Sequence, residues 1–292
     1  MDKTQAFDPK IAFSRTLGLV TPAELEKLRG STVAIAGLGG VGGSHLLTLT
    51  RLGIGTFHLA DFDTFGLENF NRQAGADITT IGRSKIEVMR ERACQINPEL
   101  TVRMFPEGVT SKNIGEFLAG ANVYVDGLDY FAFPMRSAIF RTCYEKHIPA
   151  VTAAPLGMGV ALLNFMPGKM SFHDYFDWNE ADPDVTKAIK FLAGLSPSFP
   201  QRGYLVDRTY VDLKAGKGPS TPMACELCAG FAGTEVLKIL LGRGKVRAAP
   251  HSLHFDAYVN RFYSRTMRFG NRHPVQRLKM AVMRRLLLKD GA

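Results

Sequence analysis

The stretch Thr32-Val33-Ala34-Ile35-Ala36-Gly37-Leu38-Gly39-Gly40-Val41-Gly42, with the helical pattern Ser44 to Leu52 and the run Thr56-Phe57-His58-Leu59-Ala60-Asp61 behind it, decides the fold. Thr32 to Ala36 is short, apolar and without polar alternation, as a parallel strand buried on both faces requires. Gly53-Ile54-Gly55 closes the helix, and the whole is a β-α-β unit of about thirty residues. Within it, Gly37-x-Gly39-x-x-Gly42 joins strand to helix, and Asp61 ends the second strand nineteen residues after Gly42. The first glycine permits a tight turn, and the second lets backbone N–H groups approach a phosphate. The third allows close helix–strand packing, and the acid suits a ribose hydroxyl. The pattern predicts nucleotide binding. It does not separate a dinucleotide redox cofactor from a mononucleotide such as ATP.

The alternation continues outward. Helical patterns at 84–97, 113–118 and 133–147 alternate with strand-like runs at 100–105, 121–125 and 150–153. This predicts an α/β fold: a Rossmann-like, doubly wound, mainly parallel sheet. After Pro155 the character changes. Met158 to Phe165 reads as a further strand, and 174–218 as an irregular crossover or lid with one helical island at 184–195. A long helix follows at 224–241, then a closing strand or hairpin at 253–268, so an antiparallel extension toward the C-terminus is expected. The expected organisation is an N-terminal helical segment at 1–30, a nucleotide-binding domain at 31–268, and a basic amphipathic tail at 269–292.

Composition sets the class. The chain has 292 residues, 46% hydrophobic and 22% charged, enough to bury a core without staples. It has no run of roughly 18 apolar residues and no signal-like start, so a cytoplasmic protein is expected. Of the formal charge of +9, nearly all comes from Arg261 onward, where nine basic residues face one acid, Asp290. Val275, Leu278, Val282 and Leu286 recur there at helical spacing. Either the helix docks on its own protein with a solvated basic face, or it meets an anionic membrane surface, nucleic acid or a partner.

Downstream of the glycine turn lie Asp61-Phe62-Asp63, Asn69-Phe70-Asn71-Arg72-Gln73, Gly82-Arg83-Ser84-Lys85 and Asp126-Gly127-Leu128-Asp129. Arg and Lys together with a later carboxylate suit a triphosphate and Mg²⁺ better than a nicotinamide. These motifs, with Ile96-Asn97-Pro98, resemble the ThiF/MoeB/ubiquitin-activating-enzyme superfamily in order and spacing, over about Arg15 to Pro155 and again at 224–242. The resemblance implies adenylyl transfer, in which an acid's carboxylate attacks the α-phosphate of ATP to give an acyl-adenylate and pyrophosphate. It implies that Gly37, Gly39, Gly40, Gly42, Asp61 and Asp63 line the nucleotide. Asp61 would hold the ribose, Asn69, Arg72 and Lys85 the phosphates, and Asp129 the Mg²⁺. Arg15 would reach the nucleotide of a second subunit in a homodimer. The acyl substrate stays open: a ubiquitin-like tail, a peptide, a small acid or, as a minor variant, a threonine-derived carboxylate on transfer RNA.

The chain departs from the family's pattern in its cysteines. Many relatives hold zinc with two CxxC pairs, whereas here only Cys225-Glu226-Leu227-Cys228 is present. His251 and His254 are the remaining candidate ligands, and zinc is not expected. Cys94 and Cys143 read as core. The crossover contains no cysteine, so adenylation without a thioester step is expected. The aromatic run Tyr130 to Phe133 also departs from the family and reads as reshaping an acyl pocket. The competing functions are an NAD-dependent oxidoreductase on the same sheet and a non-catalytic nucleotide-binding module recruited through the basic tail.

Overall fold

The computed structural model describes residues 6–212 and 218–289. Eight strands form one sheet: β1 (Thr32–Ala36), β2 (Thr56–Ala60), β3 (Thr101–Phe105), β4 (Val123–Asp126), β5 (Ala150–Leu156), β6 (Gly159–Phe165), β7 (His251–Asp256) and β8 (Arg261–Thr266). The helices are α1 (Pro9–Ala12), α2 (Pro22–Arg29), α3 (Gly40–Arg51), α4 (Lys85–Ile96), α5 (Ile114–Phe117), α6 (Phe133–Glu145), α7 (Phe172–Phe176), α8 (Asp184–Leu195), α9 (Pro222–Leu241) and α10 (Pro274–Lys289). The strand order is β3-β2-β1-β4-β5-β6-β7-β8. The first five strands are mutually parallel, and β6, β7 and β8 continue antiparallel. The sheet is mainly parallel with an antiparallel extension, as the sequence predicts.

Strand alternation builds two cores. Val33, Ile35, Phe57, Leu59, Val123 and Val125 face one side, under α3, α4 and α9. Ala34, Ala36, Tyr124, Ala150 and Leu163 face the other, under α6, α7 and α8. Strands buried on both faces need apolar residues at every position, which is why β1 shows no alternation in sequence. The order reverses between β1 and β4, so their carboxyl ends diverge and leave a crevice above the sheet.

Several helix ends follow local rules. Thr21 and Glu24 form a capping box at the start of α2. Gly242, at φ +69°, terminates α9 in the left-handed conformation. The irregular crossover of the sequence contains α7 and α8, and Phe191 of α8 joins the second core. Cys143 is buried there, whereas Cys94 is only partly covered, which corrects the expectation that both are core. On its helix, Cys94 faces the boundary between core and solvent.

Candidate functional site

The crevice is floored by glycine because nothing larger fits. Gly37 has φ +83°, and a Cβ there would stand 2.3 Å from the carbonyl oxygen of Gly127. A Cβ on Gly42 would stand 1.8 Å from the carbonyl of Gly37. The first turn of α3 therefore packs directly on the ends of β1 and β4. Gly39 caps α3 without a side chain, leaving the helix's first N–H groups open to an anion. Asp61, at the end of β2, accepts from the Leu38 N–H at 2.6 Å and the Asp63 N–H at 2.8 Å. Burial pushes its carboxyl above the usual carboxylate range, opposed by those two N–H groups and the Lys85 charge.

The cations reach the same place from the segment between β2 and α4. Asn69 Oδ1 accepts from the Gly66 N–H at 3.0 Å and fixes a tight turn at Leu67–Asn69. Arg72 then lies with its aliphatic stem beside Gly40, its Cγ 3.6 Å from where a Cβ would be. Its guanidinium donates to the Glu68 carbonyl and to Asn71 Oδ1, at 3.0 and 2.9 Å. Lys85 opens α4 and pairs with Asp63 at 3.0 Å. Gln73 was not singled out in the sequence. Its amide packs against Gly39, and its Oε1 is buried without a partner among the described residues. An orphaned buried polar atom beside an open helix start fits a site that expects a polar ligand. Asn71 Nδ2 donates to the Ser220 carbonyl at 3.1 Å, and the Ser44 hydroxyl to Glu226 at 2.8 Å, which tie the start of α9 to this rim.

Asp129 sits on the loop after β4 with its carboxylate exposed, accepting from the Phe131 N–H at 3.0 Å. The loop is held by a residue that sequence reasoning missed. Arg136, 2% exposed, donates to Asp126 Oδ2 at 2.8 Å and to the carbonyls of Leu128, Asp129 and Tyr130 at 2.8–2.9 Å. Its guanidinium also stacks on Phe191 of α8 at 4.7 Å. A planar five-donor fork can satisfy so many acceptors at once, which lysine cannot. The available signal was an arginine seven residues after Asp129, in the first turn of a helical pattern.

Other sequence-derived candidates fall elsewhere. Arg15 is exposed, and the preceding Phe13 packs beside Gly53 and with Leu237 and Leu241 of α9. That is the opposite end of α3 from the glycine turn, about 18 Å along a helix of this length. Within one chain, Arg15 does not join the site. Tyr130 and Phe133 pack with Phe191 in the second core, and the Tyr130 hydroxyl donates to the Ala188 carbonyl at 2.7 Å. Both rings are anchored beside α8, and Phe131, packed on both, stays half-buried.

Cys225 lies against Gly40 and Cys228 is buried in the first core, and burial pushes both thiols up. His254 bonds Ser196 and His251 bonds Thr266, on β7. Among the described residues, no group of three or more His, Cys, Asp or Glu side chains could hold a metal. No described helix is long and apolar enough to cross a membrane.

The site thus gathers a glycine turn, a buried acid, two cations and an exposed carboxylate at one rim. Such an arrangement can grip a polyphosphate and neutralise charge as a bond to phosphorus breaks. Comparison with known proteins agrees. A profile of the ThiF family matches residues 13–278. The chain is 34% identical over 140 residues to the tRNA threonylcarbamoyladenosine dehydratase of Haemophilus influenzae, covering 48% of this chain and 53% of that protein. It is 34% identical over 142 residues to the sulfur carrier protein ThiS adenylyltransferase of Escherichia coli, covering 49% and 56%. These matches span about half the length of those curated relatives. The crystal structure of E. coli MccB with ATP superposes with a TM-score of 0.65 at 18% identity, over 91% of this chain and 72% of that one. That likeness shows the fold.

Proposed function

The chain belongs to the ThiF family, and its relatives include the sulfur carrier protein ThiS adenylyltransferase and the molybdopterin-synthase adenylyltransferase; from that premise we propose that it activates a substrate carboxylate with ATP and Mg²⁺ at the rim of β1, β2 and β4. The observation that carries this is that Arg72, beside Gly40, and Lys85, whose charge reaches Asp61, flank the open start of α3.

A carboxylate oxygen of the substrate attacks the α-phosphorus of ATP. The bond from that phosphorus to the bridging oxygen of the β-phosphate breaks, and pyrophosphate leaves with the electron pair. No proton moves, because the nucleophile is already ionised and the leaving group departs as an anion. The protein's task is to position and neutralise. Asp61 holds the ribose, Gly37, Gly39, Gly40 and Gly42 give the backbone room for the phosphates, and Asn69 offers its amide. Arg72 spans two phosphate oxygens with its fork, and Lys85 supplies a point charge swung from Asp63. The exposed carboxylate of Asp129 would hold Mg²⁺, whose charge would neutralise the departing pyrophosphate. The raised thiols of Cys225 and Cys228 support transfer from the adenylate without a thioester on this chain.

The site completes itself in a homodimer. Arg15 is exposed, forms no ion pair among the described residues, and lies away from its own chain's nucleotide rim. An open apolar groove of about 790 Å³ between α9 and β7, lined by Met223, Leu227, Phe231 and Leu253, offers a seat for the second copy.

ATP–pyrophosphate exchange tests the proposal, with peptides ending in Gly-Gly, free amino acids and transfer RNA as candidate acids. Exchange that requires one of them, and is lost in Arg72→Ala and Asp129→Ala, supports it. ATP binding without exchange for any acid counts against catalysis. A thermal shift with NAD and none with ATP–Mg²⁺ points to an oxidoreductase instead.

A further inference from the structure

Helix α10 is docked the wrong way round for its sequence. Its apolar stripe of Val275, Leu278 and Val282 is 52%, 67% and 47% exposed. Its inward face opens with polar contacts and continues with the half-buried Met280 and Met283: Gln276 is 1% exposed, with Nε2 donating to the Ala193 carbonyl at 2.7 Å, and Lys279 Nζ donates to the Pro197 carbonyl at 2.5 Å. Just upstream, Asn271 donates to the carbonyls of Phe176 and Lys190 at 3.0 and 2.8 Å. These polar bolts to α7 and α8 fix the helix's rotation and hold the stripe outward. The helix docks on its own protein with its arginines solvated, one of the two outcomes the sequence allows, but through Gln276 and Lys279 and not through the stripe; the side chain of Leu286 lies outside the described residues.

The segment that carries the stripe is itself basic. Between Ala257 and Lys289 there is no acid. Of the cations there, Arg261, Arg265, Arg268, Arg277, Arg284 and Arg285 form no ion pair with a described residue. Arg272 is taken by Asp174 at 3.0 Å. Burial lowers the Lys279 pKa and the Arg265 charge of β8 adds to it, so these two cations lie within electrostatic reach of one another.

We propose that this face of α10 lies on an anionic lipid bilayer, with Val275, Leu278 and Val282 in the headgroup–acyl boundary and the arginines at the phosphates. Charge complementarity and the apolar stripe together select this occupant. A nucleic-acid backbone would use the arginines but leave the stripe without a partner. A bilayer takes both, since long cationic side chains snorkel while short aliphatic ones insert. Each unpaired cation near an anionic surface contributes about fivefold to partitioning. The inference goes beyond the proposed reaction and does not depend on it.

Sedimentation of the full chain with vesicles tests it, comparing phosphatidylcholine alone with phosphatidylcholine containing about 30% phosphatidylglycerol. Binding should be at least about tenfold tighter to the anionic vesicles and weaken with salt. Leu278→Glu with Val282→Glu, and separately Arg284→Glu with Arg285→Glu, should each reduce it about tenfold or more while the melting temperature stays put. Failure to pellet with anionic vesicles overturns the proposal, as does binding unmoved by Leu278→Glu with Val282→Glu. Two results assign the surface to another occupant and equally overturn it. One is conversion of a dimer to a monomer by the Leu278→Glu, Val282→Glu pair. The other is transfer-RNA binding that the same pair leaves intact and that displaces the vesicles.

Discussion

Arg136 Nε donates to Asp126 Oδ2 at 2.8 Å, with both side chains almost wholly buried, one turn into α6 and at the end of β4. The pair lies directly beneath the loop that carries Asp129, and the remaining guanidinium donors hold that loop's carbonyls. A buried pair of this kind adds little net stability but is costly to break, because the survivor is left charged without a partner.

Arg136→Ala should therefore cost about 3–5 kcal/mol in urea unfolding. Arg136→Lys keeps a charge for Asp126 but loses the planar fork. It should lower the exchange rate at least about tenfold while ATP affinity stays within about threefold, since the loop loosens but the glycine turn does not. An unchanged rate in Arg136→Lys would show that the loop needs no such clamp.

Lys85 and Asp63 should behave unequally although they form one ion pair. Lys85→Ala should cut exchange about a hundredfold, because a phosphate loses its point charge. Asp63 is half exposed, so Asp63→Asn should leave exchange within about fivefold. Equal losses would make the pair, and not the cation, the functional unit.

The glycine turn gives a steric prediction with an internal control. Gly42→Ala places a Cβ 1.8 Å from backbone and should destabilise the chain by more than about 3 kcal/mol. Gly230→Ala on α9 meets nothing within 4 Å and should stabilise it by up to about 1 kcal/mol. Thermal unfolding of the two variants measures both.

His45, fully covered on α3 with neither ring nitrogen partnered among the described residues, has its pKa pushed down to about 4 by burial. The folded value lies below the free one, so the unfolded chain binds the proton first. The stability tied to neutral His45 is whole above pH 6.5 and is lost as pH falls toward 4, by up to about 3 kcal/mol. His254, also pushed down to about 4 by burial, adds in the same direction. His45→Leu should flatten the fall in stability between pH 7 and pH 4.5, read by urea unfolding at each pH. A slope unchanged by the substitution would contradict it.

Much of the fold was legible because it rests on local rules. The unalternating run in β1, the glycine turn, the proline and glycine boundaries of α2 and the closing glycine of α9 each follow from backbone chemistry within a few residues. The parallel order was legible from the repeated strand–helix alternation. Arg136 was not, because its acceptors Asp126, Leu128 and Tyr130 become neighbours only when the loop folds back onto α6. Gln73 was hidden for the same reason, since its amide meets Gly39 from a segment more than thirty residues away in sequence. The orientation of α10 was the hardest to read. Periodicity locates an apolar stripe but cannot tell that Gln276 and Lys279 have claimed the inward face.

The central claim is attack at the α-phosphorus of ATP, and the products of ATP labelled in turn at the α- and γ-phosphates test it most directly. With the acid that supports exchange, the α-label should appear in AMP or acyl-AMP and the γ-label in pyrophosphate. ADP carrying the α-label, with the γ-label in orthophosphate, would contradict the account.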